Sequence, residues 1–355
     1  MSTIWVLGAG QLGAMLHDGA SVLNLDVRPI DIESDEQLSI ADTDIVTAER
    51  EQWPETTATA QLAAHPYFVN KAVFGRLADR LTQKQILDEL EIATTPWCPV
   101  TLTTKSDALY DRLGSEVLLK RRTGGYDGRG QHWLKQFNRD EIPQDWREAS
   151  IAEQKIPFED ELSVVGVRNR AGDKVFFPLS LNLHVNGILM GTLAPVQRIA
   201  GLQEQGENML GKLMDSLDYI GVMAMECFSV GGQLMVNEVA PRVHNSGHWS
   251  LTGANISQFE YHLRAVADLP IPEAKTKGPS AMVNLIGVDF CERWAEVPGA
   301  DVYWYDKEVR PGRKVGHINF CNSDLSQLKA SLRNLEKLLP ENYSEVVSWL
   351  TNNID

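Results

Sequence analysis

The sequence predicts an open parallel α/β unit followed by smaller α+β modules. Three observations carry this: strand and helix patterns alternate over residues 1–75, strand patterns dominate residues 100–185, and two adjacent strand-like runs over 221–242 carry a pair of glutamates.

The elements follow in order. Ile4–Leu7 runs into Gly8-x-Gly10-x-x-Gly13 and an apolar-periodic helix reaching about Leu23. Strands at Leu25–Ile32 and Ile45–Ala48 and a helix near Thr56–Ala64 complete an open parallel sheet with helices on its faces. Gly75–Leu90 reads as one amphipathic helix, and Thr94–Pro99 (TTPWCP) breaks the pattern as a boundary would. Strands then follow at Glu116–Lys120, Gln131–Leu134, Ile151–Ile156, Glu161–Arg168 and Lys174–Leu183. Beyond them come a helix over Leu202–Leu217, the glutamate hairpin and a helix over Ile256–Ala267. Strands at Ala281–Gly287 and Val302–Tyr305, a basic turn and two closing helices end the chain. The expected domains are 1–95, 96–185 and 186–355.

Composition narrows the function. At 355 residues and 43% hydrophobic, the chain can bury two or three cores. A net charge of −15 argues against a nucleic-acid or anionic-membrane surface as the main partner, and local basic clusters in acidic bulk suit a small anion. Cys98, Cys227, Cys291 and Cys321 form no Cys-x-x-Cys pair, which fits a reducing cytoplasm better than a zinc knuckle or disulfide framework. No signal peptide or membrane span is expected.

Glu226 and Glu238 lie twelve residues apart among apolar residues, where carboxylates are costly unless compensated. With a two-residue loop at Gly231–Gly232, Val230 pairs with Gln233, Glu226 falls opposite Asn237, and the glutamates face apart. With a three-residue loop, Gly231–Gln233, Val230 pairs with Leu234 and Glu226 lies opposite Glu238. The second register also gathers Phe228, Val230, Leu234 and Val236 on one face, and is the more coherent. Adjacent carboxylates repel, and a hard divalent cation completed by substrate phosphates is the simplest remedy.

Other segments supply the rest of a site. Gly8-x-Gly10-x-x-Gly13, with Asp31 or Glu33 downstream, has the look of a dinucleotide fingerprint. Its physical content, free N–H groups at a helix N-terminus, suits any phosphate or polar ligand, and Gln11 at its tip is a hydrogen-bonding choice. Lys120–Gln131 (KRRTGGYDGRGQ) is more specific: a strand lysine followed by a glycine-rich flap that can approach a polyphosphate, without Walker spacing. Glu153–Ile156 with Glu161 can serve an adenine edge and a ribose. Arg80 and His184 alone pass as a surface charge and a structural histidine. Arg242 and His244 share a side if extended, and suit binding of a small carboxylate or bicarbonate with proton management. Lys307, Arg310, Arg313 and Lys314 form a basic cluster fitting a sugar phosphate.

Together these segments resemble the ATP-grasp superfamily, and within it the N5-carboxyaminoimidazole ribonucleotide synthetases. The resemblance rests on GAGQLG at 8–13, RLTQKQ at 80–85, KRRTGGYDGRGQ at 120–131, EQKI at 153–156, GVMAMECF at 221–228, NEVAPRVHNSGHW at 237–249 and WYDKEVRPGRKVGH at 304–317. It implies an ATP-grasp fold with an N-terminal parallel domain, a central lid and a C-terminal domain. It implies ATP- and bicarbonate-dependent carboxylation of 5-aminoimidazole ribonucleotide through carboxyphosphate, with Mg2+, by a cytoplasmic homodimer. Residue by residue, it places Arg80, Lys120, Gly125, Tyr126, Asp127, Gly128, Arg129, Gly130, Gln131, Glu153, Gln154, Lys155, Ile156, Glu161, His184, Asn237 and Glu238 around ATP. Glu226 and Glu238 match the metal ligands. Asp127, Arg129, Arg242 and His244 match the reacting centre, and Gln11, Leu12, Lys307, Arg313 and Lys314 the substrate segment. The alternatives are another ATP-grasp ligase, such as a formate-using glycinamide ribonucleotide enzyme, an NAD-dependent oxidoreductase, and a non-catalytic nucleotide-binding module.

Overall fold

The computed structural model describes residues 2–125 and 128–355. Its first sheet is parallel, with β1 (Thr3–Leu7) between β2 (Asp26–Ile30) and β3 (Ile45–Ala48). Strand β1 is buried along its length, as an inner strand covered on both faces must be. The helix after it is Gln11–Gly19, and a separate short turn over Ser21–Leu23 occupies the remainder of the expected span. Thr56 caps the helix Thr57–Ala64 through a reciprocal capping box with Thr59.

The single amphipathic helix expected over 75–90 is instead two, Lys71–Ala78 and Arg80–Glu89. Asp79 breaks them apart: its backbone is extended, and its carboxylate caps Leu81 N–H at 2.9 Å while pairing with Arg122. That restart places Arg80 at the first turn of the second helix, facing the next sheet.

That sheet is antiparallel with order β4-β7-β5-β6, from β4 (Trp97–Val100), β5 (Glu116–Arg121), β6 (Gln131–Lys135) and β7 (Ser150–Gln154). Its small core holds Val117, Leu119, Leu134 and Ala152 against Leu109, Tyr110 and Leu113 of the helix Ser106–Leu113. The strands after Gln154 do not join it. Strands β8 (Asp160–Arg168) and β10 (Ser180–Val185) hydrogen-bond into the large sheet, so this lid-like sheet ends well before residue 185. The run expected as one strand over 174–183 is also split, into β9 (Lys174–Phe176), which pairs only with β8, and β10.

The large sheet adds β11 (Ile188–Ala194), β12 (Gly221–Val230), β13 (Gln233–Ala240), β14 (Ser280–Ile286), β15 (Asp301–Trp304) and β16 (Lys314–Cys321), in the order β13-β12-β8-β10-β11-β14-β16-β15. One face packs Leu162, Val164, Met223 and Met225 on the helix Gln203–Ser216. The other packs Val165, Val167, Val222 and Ala224 on the helix Gln258–Val266. The basic stretch expected as a turn over 307–317 is a turn only as far as Arg313. Lys314 opens β16, whose Val315, Ile318 and Phe320 are core.

Candidate active site

The glutamate hairpin resolves by a route neither simple register foresaw. Its loop has two residues, Gly231 and Gly232, with φ of 57° and 75°, the mirror-image turn that matches strand twist. Val230 pairs with Gln233 and Cys227 with Val236, which by itself would turn the glutamates apart. The ladder then slips by one residue between Cys227 and Glu226, and Glu226 pairs with Glu238. Asn237 is the extra residue of a bulge. The three-residue loop is thus corrected while the adjacency stands, and Phe228 and Val230 do not share the buried face of Leu234 and Val236.

Around this pair stands a dense set of charges. Burial, then the nearby Glu238, pushes Glu226 above the usual carboxylate range, and His184 opposes this. His184 Nδ1 is 2.7 Å from Glu161 and its Nε2 3.8 Å from Glu226. Burial alone would lower the His184 pKa, but the Glu161 hydrogen bond and the Glu226 charge raise it. Arg80 donates to Glu238 at 2.8 Å and to the carbonyls of Gly125 at 2.8 Å and Arg121 at 3.0 Å, tying the hairpin to the glycine loop.

Lys120, at the end of β5, donates to Asn237 Oδ1 at 2.6 Å and pairs with Glu153 at 2.6 Å. Lys84 holds the other Glu153 oxygen at 2.9 Å. Burial would raise the Glu153 pKa, but the two lysines bring it to about 2. Lys84, buried at 1% exposure, was missed in the sequence because RLTQKQ reads as a solvated helix face. Next along the chain, Gln154 and Ile156 are half-buried, and Lys155 is exposed and paired with Glu116 at 2.6 Å.

In the flap, Gly128 and Gly130 have φ of 74° and 69°, and a Cβ on Gly128 would meet the Asn186 carbonyl at 2.6 Å. The loop therefore lies against the β10–β11 turn. Gln131 opens β6 opposite Lys120, and Arg129 lies between the two glycines. Tyr126 and Asp127 lie outside the described residues.

His244 Nε2 is 3.5 Å from Glu226. Its Nδ1 accepts from Ser246 N–H, so Nε2 carries the proton in the neutral ring. Burial, then Arg242 and Lys314, holds His244 well below the ordinary histidine pKa. Arg242 pairs with Glu51 at 2.9 Å and donates to the Val243 carbonyl at 3.1 Å. Lys307 donates to Gln11 Oε1 at 2.7 Å, joining the first domain to the basic segment. Arg313 donates to the Glu308 carbonyl at 3.2 Å, and Leu12 packs on the core beneath Gln11.

The dinucleotide-like glycines have an internal occupant. Glu49, just past β3, accepts from the N–H groups of Gly10 and Gly13, both at 2.6 Å, and a Cβ on Gly10 would lie 2.7 Å from its carboxylate. The anion-binding helix N-terminus is thus filled by the protein's own side chain. Two acidic residues in TAERE at the C-terminal end of a parallel strand were the available signal. Glu49→Gln keeps only one acceptor oxygen. It is expected to cost about 1–3 kcal/mol of stability in urea unfolding, and an unchanged midpoint would contradict this assignment.

Comparison with known proteins decides what this arrangement belongs to. The ATP-grasp domain family matches residues 85–259, and the phosphoribosylaminoimidazole carboxylase C-terminal domain family matches 280–331. The chain is 48% identical over 349 residues to the N5-carboxyaminoimidazole ribonucleotide synthase of Escherichia coli (strain K12), covering 98% of both chains. It belongs to the N5-carboxyaminoimidazole ribonucleotide synthase family. Among solved structures, the synthetase from Thermus thermophilus superposes with a TM-score of 0.82 at 36% identity, covering 95% of this chain and 98% of that one. The synthase from Aspergillus clavatus, in complex with ADP and 5-aminoimidazole ribonucleotide, superposes with a TM-score of 0.79 at 26% identity, covering 95% and 98%. The protein is thus an ATP-dependent ligase with the ATP-grasp fold, to which its central antiparallel sheet belongs. This membership excludes the oxidoreductase and non-catalytic alternatives, and the carboxylate of Glu49 in the glycine turn opposes the first independently.

Proposed function

We infer that this protein uses ATP to carboxylate 5-aminoimidazole ribonucleotide with bicarbonate, giving N5-carboxyaminoimidazole ribonucleotide, ADP and phosphate in purine biosynthesis. The observation that carries the site assignment is the pairing of Glu226 with Glu238 across the Asn237 bulge, beside Lys120 and Arg80. Two adjacent carboxylates, with Glu226 raised above the usual carboxylate range by burial and then by Glu238, fit a hard divalent cation. Glu226 and Glu238 would hold Mg2+, which when bound neutralises charge on the ATP phosphates.

Lys120, kept close by Glu153 and Asn237, is positioned to meet the phosphates, with Arg80 anchoring the glycine loop over them. The Glu153–Ile156 segment serves the adenine side, and Glu161 with His184 the ribose side. Bicarbonate oxygen attacks the γ-phosphoryl group, releasing ADP and forming carboxyphosphate, and Arg129 on the flap stabilises the transferring charge. The substrate amine then captures the carboxyl group as phosphate leaves. A closed glycine flap excludes water from an intermediate that hydrolyses readily.

Arg242 holds the bicarbonate, and displacement of Glu51 frees its guanidinium for that anion. His244, an N–H donor at Nε2, suits orientation of that anion better than proton removal. Asp127 is the remaining candidate acceptor. Gln11 and Leu12, with Lys307, Arg313 and Lys314, form the substrate-phosphate side. The role in purine synthesis supports a cytoplasmic location, and a homodimer is the assembly the family resemblance implies.

ADP release measured with and without bicarbonate and the aminoimidazole ribonucleotide tests this reading. Turnover should require both, and formate should not replace bicarbonate. Formate-driven turnover would favour the glycinamide ribonucleotide alternative. Arg242→Ala should bind ADP as the wild type does and lose bicarbonate-dependent turnover by about a hundredfold or more. Retained bicarbonate dependence would remove Arg242 from the anion role.

A further inference from the structure

Behind the proposed substrate site lies a buried polar cluster that the reaction does not use. His248, His317, Asn284 and Asn319 are each at 0% exposure. The rings of His248 and His317 lie 5.0 Å apart, Asn284 pairs with His317 across β14 and β16, and Asn319 donates to the His248 carbonyl at 2.9 Å. In this cluster His248 Nε2, His317 Nε2, Asn284 Oδ1 and Asn319 Oδ1 have no hydrogen-bond partner among the described residues. Buried polar side-chain atoms nearly always have a hydrogen-bond partner, and four together without one call for a bound molecule.

The neighbouring hydrogen bonds fix which atoms donate. Gln258 Oε1 accepts from His244 N–H at 2.9 Å and its Nε2 donates to the His244 carbonyl at 2.7 Å, so the amide orientation is set by backbone groups. The second hydrogen on that Nε2 points to His248 Nδ1 at 2.9 Å, which makes Nδ1 an acceptor and His248 Nε2 a donor. Asn284 donates to the Leu189 carbonyl at 2.8 Å and Asn319 to that of His248, so both Oδ1 atoms are acceptors. His317 Nδ1 is 2.7 Å from the Tyr305 hydroxyl, and accepting that O–H makes His317 Nε2 the second donor. Two donors and two acceptors match the hydrogen-bonding capacity of one water molecule.

We propose that His248, His317, Asn284 and Asn319 hold a fixed internal water, and that His248 and His317 act through it as positioning residues for the two sides of the substrate site. One arm runs from His248 through Gln258 to the His244 backbone. The other runs from His317 through the Tyr305 hydroxyl to a ring whose centroid is 5.3 Å from the Lys307 ammonium. Lys307 in turn holds Gln11. The proposal rests on the assignment of Lys307 to the substrate phosphate, and its test separates the two.

The test combines a high-resolution crystal structure of the full-length enzyme with kinetics of three variants. Ordered solvent touching both His248 Nε2 and His317 Nε2 is expected, and a dry cluster overturns the water. His317→Asn keeps a polar atom near the Nδ1 position and deletes Nε2, whereas Tyr305→Phe deletes only the hydroxyl and is the milder test of folding. Both should raise KM for the aminoimidazole ribonucleotide about fivefold, the effect of one hydrogen bond lost, with KM for ATP within about twofold. A purely structural role would lower the melting temperature without this split, and would overturn the positioning claim. Lys307→Ala is the control. If it raises the ribonucleotide KM while the other two do not, the network falls and the site stands. If all three leave that KM unchanged, both fall.

Discussion

Glu238→Gln, and equally Glu226→Gln, is expected to lower ATP turnover by about a thousandfold or more, the scale of losing a cation that neutralises phosphate charge. The fold should survive, because the two carboxylates repel each other and Arg80, which loses its ion pair in Glu238→Gln, keeps its bonds to the Gly125 and Arg121 carbonyls. Burial and Glu238 together push Glu226 toward protonation, so removing one charge relieves strain in the resting enzyme. Circular dichroism and a melting curve check the fold, and ADP release checks the loss. Normal turnover in either variant would end the metal assignment.

Glu153→Gln should be the most destabilising single change in the nucleotide site. Glu153 is 2% exposed between Lys84 and Lys120, so its neutralisation leaves two buried ammonium groups without their carboxylate. Loss of one member of a buried ionic cluster costs about 3–5 kcal/mol. The sign with pH follows from the depressed pKa. The native value of about 2 lies below the ordinary 4.5, so the stabilisation is present above pH 4.5 and fades as pH falls through about 2. Urea unfolding of wild type and variant across that range should show the gap narrowing as the solution is acidified. A gap that does not change with pH would contradict a charged Glu153. On the role proposed for Lys120, ATP affinity should fall with stability, since Lys120 loses the carboxylate that fixes its position.

Much of this site was legible in residue order, and the failures have physical causes. The alternating sheet-and-helix start, the lysine strand and glycine flap, and the paired carboxylates all follow from local patterns. The bulge was legible too, but in a subtler signal. In β12 the core-facing residues Met223, Met225 and Cys227 keep one phase. In β13 the core-facing residues are Leu234 and Val236, then Val239, a change of phase across Asn237 that only an extra residue can accommodate. Assuming an unbroken ladder forced the extra residue into the turn, where two glycines at positive φ needed none.

Other misses involve contacts far apart in sequence. Lys84 reads as an exposed helix charge until the lid strand brings Glu153 to it. Glu49 reads as a strand-end carboxylate until it closes on Gly10 and Gly13, 39 and 36 residues away. Strand β16 hid behind the basic residues preceding it, because Lys314 belongs to both. The break at Asp79 was a local cap signal overridden by helical periodicity on either side.

On the function proposed above, the Asn237 bulge turns Glu226 and Glu238 into one divalent-cation site beneath the nucleotide. The most direct measurement is Mn2+ binding, followed by electron paramagnetic resonance in the presence of ADP, for wild type, Glu226→Gln and Glu238→Gln. Bound Mn2+ is expected in the wild-type complex and its loss in both variants, with the variant chains still folded. Mn2+ held equally well by all three would contradict it.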